Sequence, residues 1–343
     1  MNTSGHGGQP PLLTFQIITD THVTADPAHE YNLNFGRALQ DLAVHAQGSS
    51  GIMHIGDITD HGFAEEYAEV HRILQLHQAS LPEILYTLGN HDVGLGHWES
   101  RLAMYTSRMG MPGPYHDHWI GGYHFIFLGT EEGLPTFCNL SDEQLKWLDR
   151  KLGEKAAVGP FPGTRVVDDL EIYMQPPVAH ELDGQLELEL ESGAAALTER
   201  PIFLFLHQPL KDTVAGSLES QEWYGVTQDK ELRSILAKYP QTLLFTGHTH
   251  WELEVDNTMH PGNGETATMF NAASVAYLWT NADEHKTGSQ GFYVEVYADK
   301  VLIRGRDFTT GSWIEAAQYE VVNTVSVPGQ SSEKSILNNQ ASL

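Results

Sequence analysis

The chain of 343 residues has a single cysteine, Cys138, so an intrachain disulfide framework and any cysteine-rich zinc module are excluded. A lone thiol fits a reducing compartment, and a cytoplasmic location is the expectation. No run of 18 apolar residues occurs, so no transmembrane helix is read and no membrane partner is expected. Basic residues are scarce: 19 Lys and Arg stand against 45 Asp and Glu, a formal net charge of −26. Such a surface repels nucleic acid and anionic lipid, both of which reward Lys and Arg. Any anionic substrate therefore needs a local positive centre that lysines and arginines are too few to supply. Histidine, the commonest metal ligand, is plentiful at 19 copies, and this composition leans toward a metal site. Residues 1–10 are Gly-rich and uncharged apart from His6, with no basic stretch leading into an apolar one. They read as a flexible leader rather than a signal peptide.

Several short apolar runs, β-branched or aromatic, read as buried strands: Leu12–Thr19, Ile52–Ile55, Ile84–Leu88, His124–Leu128, Ile202–Leu206 and Thr242–Thr246. Amphipathic helical stretches lie between most of them, at Asn34–Ala46, Ala64–Gln78, Ser141–Leu152 and Asp229–Tyr239. Ser141 and Gln144 are spaced as a capping box, with Leu140 and Leu145 as its hydrophobic staple. Strands alternating with helices predict an α/β layered fold with a largely parallel sheet. From Met269 the pattern turns to strands without helices, including a hairpin of Phe292–Tyr297 and Val301–Arg306, and predicts a second sheet packed on the first. Between 153 and 200 the alternation is interrupted by prolines and by Leu186-Glu187-Leu188-Glu189-Leu190, which predicts an inserted β lobe. One domain over 11–322, with a loosely held tail at 323–343, accounts for the chain.

Five motifs sit at the carboxyl ends of predicted strands, where ligands of open α/β sheets gather. They are Asp20-Thr21-His22, Gly56-Asp57, Gly89-Asn90-His91-Asp92, His207, and Gly247-His248-Thr249-His250. Two carboxylates, four imidazoles and one amide make a mixed nitrogen and oxygen set. That set suits Zn, Mn or Fe and disfavours Ca²⁺ and copper(I). Seven ligands exceed one tetrahedral ion with an open position, and are enough for two ions if a carboxylate bridges. Glycine at 56, 89 and 247 lets the chain turn sharply from strand to loop.

In this order, the motifs resemble the calcineurin-like metallophosphoesterase superfamily over residues 20–250, and within it the bacterial phosphodiesterase branch. The resemblance implies a four-layer α/β/β/α sandwich of two mixed sheets with the metal site at the strands' carboxyl ends. It also implies a pair of divalent or trivalent ions (Mn, Fe or Zn). Asp20, His22 and His250 would hold one and Asn90, His207 and His248 the other, with Asp57 bridging. His91 would be the non-ligand histidine facing the substrate, and Asp92 would orient or charge-pair with it. A hydroxide held between the ions would attack phosphorus in a small phosphodiester or phosphomonoester. The superfamily's protein phosphatases carry an arginine where His61 stands here, and its purple acid phosphatases a tyrosine where Asp60 stands. Those branches are therefore disfavoured. His207-Gln208-Pro209-Leu210 departs from the His-His-Pro-Pro of the cyclic-nucleotide branch. A metal-dependent nuclease and a low-activity metal-binding scaffold are the alternatives; the net charge counts against the first and the intact Asn90-His91 pair against the second. The oligomeric state is left open.

The remaining histidines have blander readings. His45, His54, His71 and His77 read as core or surface residues, and His61 and His97 as neighbours of the cleft edge. His116 and His118 read as loop residues. Trp98, Trp223, Trp251 and Trp279 read as packing residues first and as pocket-lining ones second, and Cys138 as a buried or loop thiol.

Overall fold

The computed structural model describes residues 10–155 and 200–323. The lobe expected at 153–200 and the tail at 323–343 lie almost wholly outside the described residues. In chain order the elements are β1 (Leu13–Ile18), α1 (Glu30–His45), β2 (Ile52–Ile55), α2 (Ala64–His77), β3 (Ile84–Thr87), the single turn α3 (Asn90–Val93), α4 (Trp98–Met109), β4 (His116–Ile120), β5 (Tyr123–Phe127) and α5 (Asp142–Leu152). There follow β6 (Ile202–Phe205), α6 (Asp229–Leu236), β7 (Thr242–Thr246), β8 (Met259–His260), β9 (Thr268–Asn271), β10 (Leu278–Trp279), β11 (His285–Lys286), β12 (Gln290–Val296), β13 (Lys300–Asp307) and β14 (Ser312–Val322).

Two six-stranded sheets result, in the orders β14-β13-β12-β1-β2-β3 and β4-β5-β6-β7-β9-β8, beside a small β10–β11 ribbon. The first sheet has a parallel half, β1-β2-β3, and an antiparallel half, β12-β13-β14, whereas the second has a parallel centre, β5-β6-β7-β9, between antiparallel margins β4 and β8. The strands beyond Met269 do not form a sheet of their own. β9 joins β7 in the second sheet, whereas β12 pairs antiparallel with β1, Ile17 opposite Phe292, and carries β13 and β14 with it. The physical reason is that periodicity marks a strand without marking its partner, and β1 had one free edge once β2 lay on the other. The β12–β13 hairpin itself forms as read, with Val296 opposite Val301.

Three apolar clusters make four layers. Between the sheets, Phe15, Phe292 and Val294 meet Phe125, Phe203, Phe205, Phe245 and Phe270, all fully buried. Phe15 packs edge-on to Phe125 and Phe203, with ring centroids 5.0 and 4.7 Å apart. On the outer face of the first sheet, Phe35 and Leu39 of α1, Val70 of α2 and Tyr105 of α4 cover Ile18 and Ile52. On the outer face of the second, Leu145 and Leu148 of α5 and Leu232 and Leu236 of α6 cover Leu204 and Leu244. Truncating one of the central phenylalanines to alanine is worth about 3–5 kcal/mol, so the sandwich is a stiff platform for whatever its strand ends present. Among the described residues no helix is long and apolar enough to cross a membrane.

Local caps explain the helix boundaries. Ser141 caps α5, its side chain accepting from the Gln144 N–H at 3.1 Å. The reciprocal half of the capping box is replaced: Gln144 turns to Gly129, and Glu131 accepts the Ser141 N–H at 2.8 Å. α1 starts a turn before Asn34 because the His29 ring accepts the Tyr31 N–H. Sequence periodicity alone missed α4, β4 and β14, whose apolar positions are diluted by polar ones, as in Ser312–Val322, where only Ile314 and Ala317 are buried.

Candidate metal centre

The five motifs converge at the carboxyl ends of both sheets. β1, β2 and β3 deliver Asp20 and His22, Asp57, and Asn90 and His91; β6 and β7 deliver His207, and His248 and His250. Backbone bonds lock the loops together, Asp20 N–H to Gly56 O at 3.0 Å and Gly247 N–H to His207 O at 2.9 Å. Gly89 and Gly247 are required for closeness rather than for a turn. A Cβ at 89 would lie 2.1 Å from Asp57 Oδ1, and one at 247 would lie 2.4 Å from Asp20 Oδ2.

Two trios of donors form: Asp20, His22 and His250, and Asp57, His207 and His248, all buried. Each aspartate anchors one oxygen and offers the other. Asp20 Oδ2 accepts from Thr19 Oγ1 and the His248 N–H, while Oδ1 stands 2.9 Å from His250 Nε2, 3.7 Å from His22 Nε2 and 3.8 Å from His207 Nε2. Asp57 Oδ1 accepts the His91 N–H at 2.8 Å, while Oδ2 lies 3.1 Å from His207 Nε2 and 3.8 Å from His22 Nε2. The free oxygen of Asp57 thus faces histidines of both trios.

Asp20, His22, Asp57, His248 and His250 all have positive φ, between 41 and 69°. They make up half of the ten non-glycine residues with that conformation among the described residues. Such strain persists where the surroundings over-determine it and collects at functional sites. Here it aims five side chains inward.

The donor set fits cations. Both carboxylates are held well below the usual range despite burial, Asp20 by His250 and His207, and Asp57 by His207 and His91. Burial opposes charge on the imidazoles too, yet the neighbouring carboxylates of Asp20, Asp60 and Asp57 raise His22 to about 10, and those of Asp57 and Asp20 raise His207 to about 9. His248 is instead lowered to about 3, by burial and by His207. Two buried anions therefore draw in positive charge, and among the described residues no lysine or arginine pairs with either. His207 donates Nδ1–H to Ile55 O at 2.7 Å, which leaves Nε2 buried without a hydrogen-bond partner and turned to the carboxylates. A bound cation would satisfy that atom.

Asn90 is buried, its amide oriented by donation to Pro135 O at 2.7 Å and acceptance from Gln208 Nε2 at 3.1 Å. His91 is half-buried and edge-on to His22, and Nδ1 donates to Asp60 O at 2.7 Å, leaving Nε2 free. Asp92 is turned away from the role read for it. Its carboxylate accepts from Ile58 N–H, Thr59 N–H, Thr59 Oγ1 and Gly89 N–H, stapling the Asp57 loop to the Asn90 loop. Burial and the Asp57 charge push it up to about 6.

Three supporting residues were not singled out from sequence. Asp60 places Oδ1 3.3 Å from His22 Nδ1, a carboxylate behind a candidate ligand histidine; its place three residues past Asp57 is the available signal. Asn271 holds the fifth motif by accepting from Thr249 Oγ1 and donating to Trp251 O, and nothing in the sequence marks it. Ser274 donates to Asp20 O at 3.0 Å. Of the bland readings, His54 is buried against Thr21 Oγ1 and Cys138 is buried. His116 and His118 are not in a loop: both lie on β4 and bond to each other at 2.9 Å.

The description "calcineurin-like phosphoesterase" belongs to the family model that matches residues 13–252. The chain belongs to that family. A Rhodococcus erythropolis protein named "probable cyclic nucleotide phosphodiesterase" is 22% identical over 172 residues, which are 46% of this chain and 55% of that protein. The chain thus spans about half the length of this curated relative. A purple acid phosphatase from yellow lupin (Lupinus luteus) seeds shares the fold at a TM-score of 0.57 and 12% identity, over 92% of this chain and 54% of the lupin chain. The four-layer sandwich is therefore the calcineurin-like phosphoesterase fold, with both donor trios on its strand ends.

Proposed function

We propose that the chain is a metal-dependent hydrolase of small phosphate esters, acting at the Asp20–Asp57 cluster. The observation that carries the reading is the pair of buried trios whose two unanchored carboxylate oxygens face four imidazoles with no basic side chain among them. Asp20, His22 and His250 would hold one ion, Asn90, His207 and His248 a second, and Asp57 both. The nitrogen and oxygen donors suit Mn, Fe or Zn. Two such ions, when bound, would clamp the phosphate oxygens and make a water acidic enough to attack phosphorus.

The protein's own groups do the rest. Asp60 O accepts the Nδ1–H of His91, so the imidazolium form would give its Nε2 proton to the departing alkoxide and be left as the Nδ1–H tautomer. The Asp57 to His91 backbone bond ties that histidine to the bridging ligand, so its position follows the site. Asp92 keeps both loops in register. The strained loops hold the donors pre-aimed, so little reorganisation accompanies reaction.

The test is turnover by protein stripped with chelator and reloaded with Mn²⁺, Zn²⁺ or Fe²⁺, on p-nitrophenyl phosphate, bis(p-nitrophenyl) phosphate and a cyclic nucleotide. The name of the Rhodococcus relative puts the last on the panel. Metal-dependent hydrolysis of at least one ester is expected. No hydrolysis of any with two ions bound would overturn the reading.

A further inference from the structure

The seven donors explain how phosphate would be held but not what else the substrate carries. The rim of the centre is aromatic. Tyr277 stands with its ring 4.4 Å from His250 and 6.0 Å from His22. Tyr31 stacks on it at 5.2 Å and 29°, and His285 at 5.2 Å and 26°. Tyr31 and Tyr277 are half-buried, unlike the phenylalanines between the sheets, and His285 is exposed. Across the site, Trp223 lies edge-on to His248 at 6.0 Å with 38% of its surface exposed. Both trios are therefore flanked by partly wet aromatic rings.

Resting on the phosphoesterase reading, we propose that the Tyr31–Tyr277 stack is a specificity wall that selects phosphodiesters bearing a planar aromatic group, an aryl or a nucleoside, over those bearing small alkyl groups. A diester is the ester that can meet such a wall, since one substituent leaves while the other stays to lie against Tyr31 and Tyr277. Shape and chemistry argue for the planar group. Aromatic side chains left half in water next to a reaction centre gain by covering one another or a flat ligand, and a ring stacked against them excludes water from the cations as well. Tyr31 comes from the start of α1 and Tyr277 from the segment before β10, so two distant parts of the chain converge on this one wall.

The experiment compares esters that share the p-nitrophenolate leaving group and differ only in the other substituent: phenyl, thymidine-5′ and methyl. For the metal-loaded protein, kcat/KM corrected for alkaline reactivity is expected to favour phenyl and thymidine over methyl by about tenfold or more. Tyr277→Leu is expected to shrink that preference by roughly 3- to 30-fold with two ions still bound, and Tyr277→Phe to keep it. Tyr31→Leu, on a separate element, is expected to act in the same direction and serves if the first variant does not fold. No aryl preference in the unaltered protein, an unchanged ratio in the leucine variants, or loss of the ratio in Tyr277→Phe would each overturn the wall. A metal-loaded protein that hydrolyses none of the three sinks the phosphoesterase reading instead, which is a separate outcome.

Discussion

The carboxylates of Asp41 and of the strand ends are both largely withdrawn from water, and each is accommodated differently. Away from the strand ends, Asp41 of α1 meets Arg306 of β13, whose guanidinium donates to both carboxylate oxygens, and Tyr293 Oη completes the shell at 2.9 Å. Arg306 also lies over the Trp313 ring at 4.8 Å. That pair is closed: charge is matched, hydrogen bonds are filled, and neither residue has positive φ. At the strand ends the unanchored oxygens of Asp20 and Asp57 face imidazoles alone among the described residues, and five backbone positions are strained. Buried charge that is matched is architecture. Buried charge that is left open, on a backbone that bears strain to keep it so, is a place for something that arrives.

Neutralising one carboxylate of each kind should separate the two regions. Asp57→Asn should lose one or both ions and turnover with them, while the chain stays folded. His91→Ala should come next, keeping both ions but lowering kcat by about 10²–10⁴ if the histidine gives a proton to the leaving group. The loss should shrink for p-nitrophenyl esters, and an equal loss for good and poor leaving groups would leave His91 only a charge-stabilising role. Asp41→Asn should do the reverse of Asp57→Asn, costing about 3 kcal/mol of stability in denaturant melts while ion content and kcat per folded molecule hold. A drop in ion content in that variant would erase the distinction between the regions.

Smaller effects refine it. Asp60→Asn weakens the support behind His22, and ion affinity by competition with a chelator should fall about 10- to 100-fold. A buried histidine outside the centre supplies the pH contrast. His116 bonds to Tyr86 O and His118, and burial lowers it to about 4. Its folded value is below the unfolded 6.5, so the unfolded chain binds more protons between them. The stability it lends is complete above about 6.5 and drains as pH falls toward about 4. Melts at pH 5 should show His116→Gln losing less on acidification than the unaltered chain, by on the order of 1–2 kcal/mol.

Much of this was legible from residues alone because strand-end motifs announce themselves twice, by an apolar run and by the donor that ends it. All seven donors read that way stand at strand ends, and six of them form the two trios. What stayed hidden depends on contacts between distant residues. No local pattern says that β12 chooses the open edge of β1, that the Asp92 carboxylate points to Thr59 and Gly89 rather than to its neighbour His91, or that Asn271 and Ser274 brace the first and fifth motifs. Tyr31 and Tyr277 are 246 positions apart in a chain where aromatics are ordinary core residues, and only the fold stacks them beside His250. Backbone strain is equally silent in sequence, since Asp and His at positive φ look like any other Asp and His.

Ion stoichiometry of the purified chain, measured by elemental analysis after dialysis against Zn²⁺ or Mn²⁺, decides whether the strand-end cluster holds a pair of ions. Two ions per chain are expected in the unaltered protein and in Asp41→Asn, and fewer than two in Asp57→Asn. Two ions retained in Asp57→Asn with unchanged turnover, or none in the unaltered protein, would contradict it.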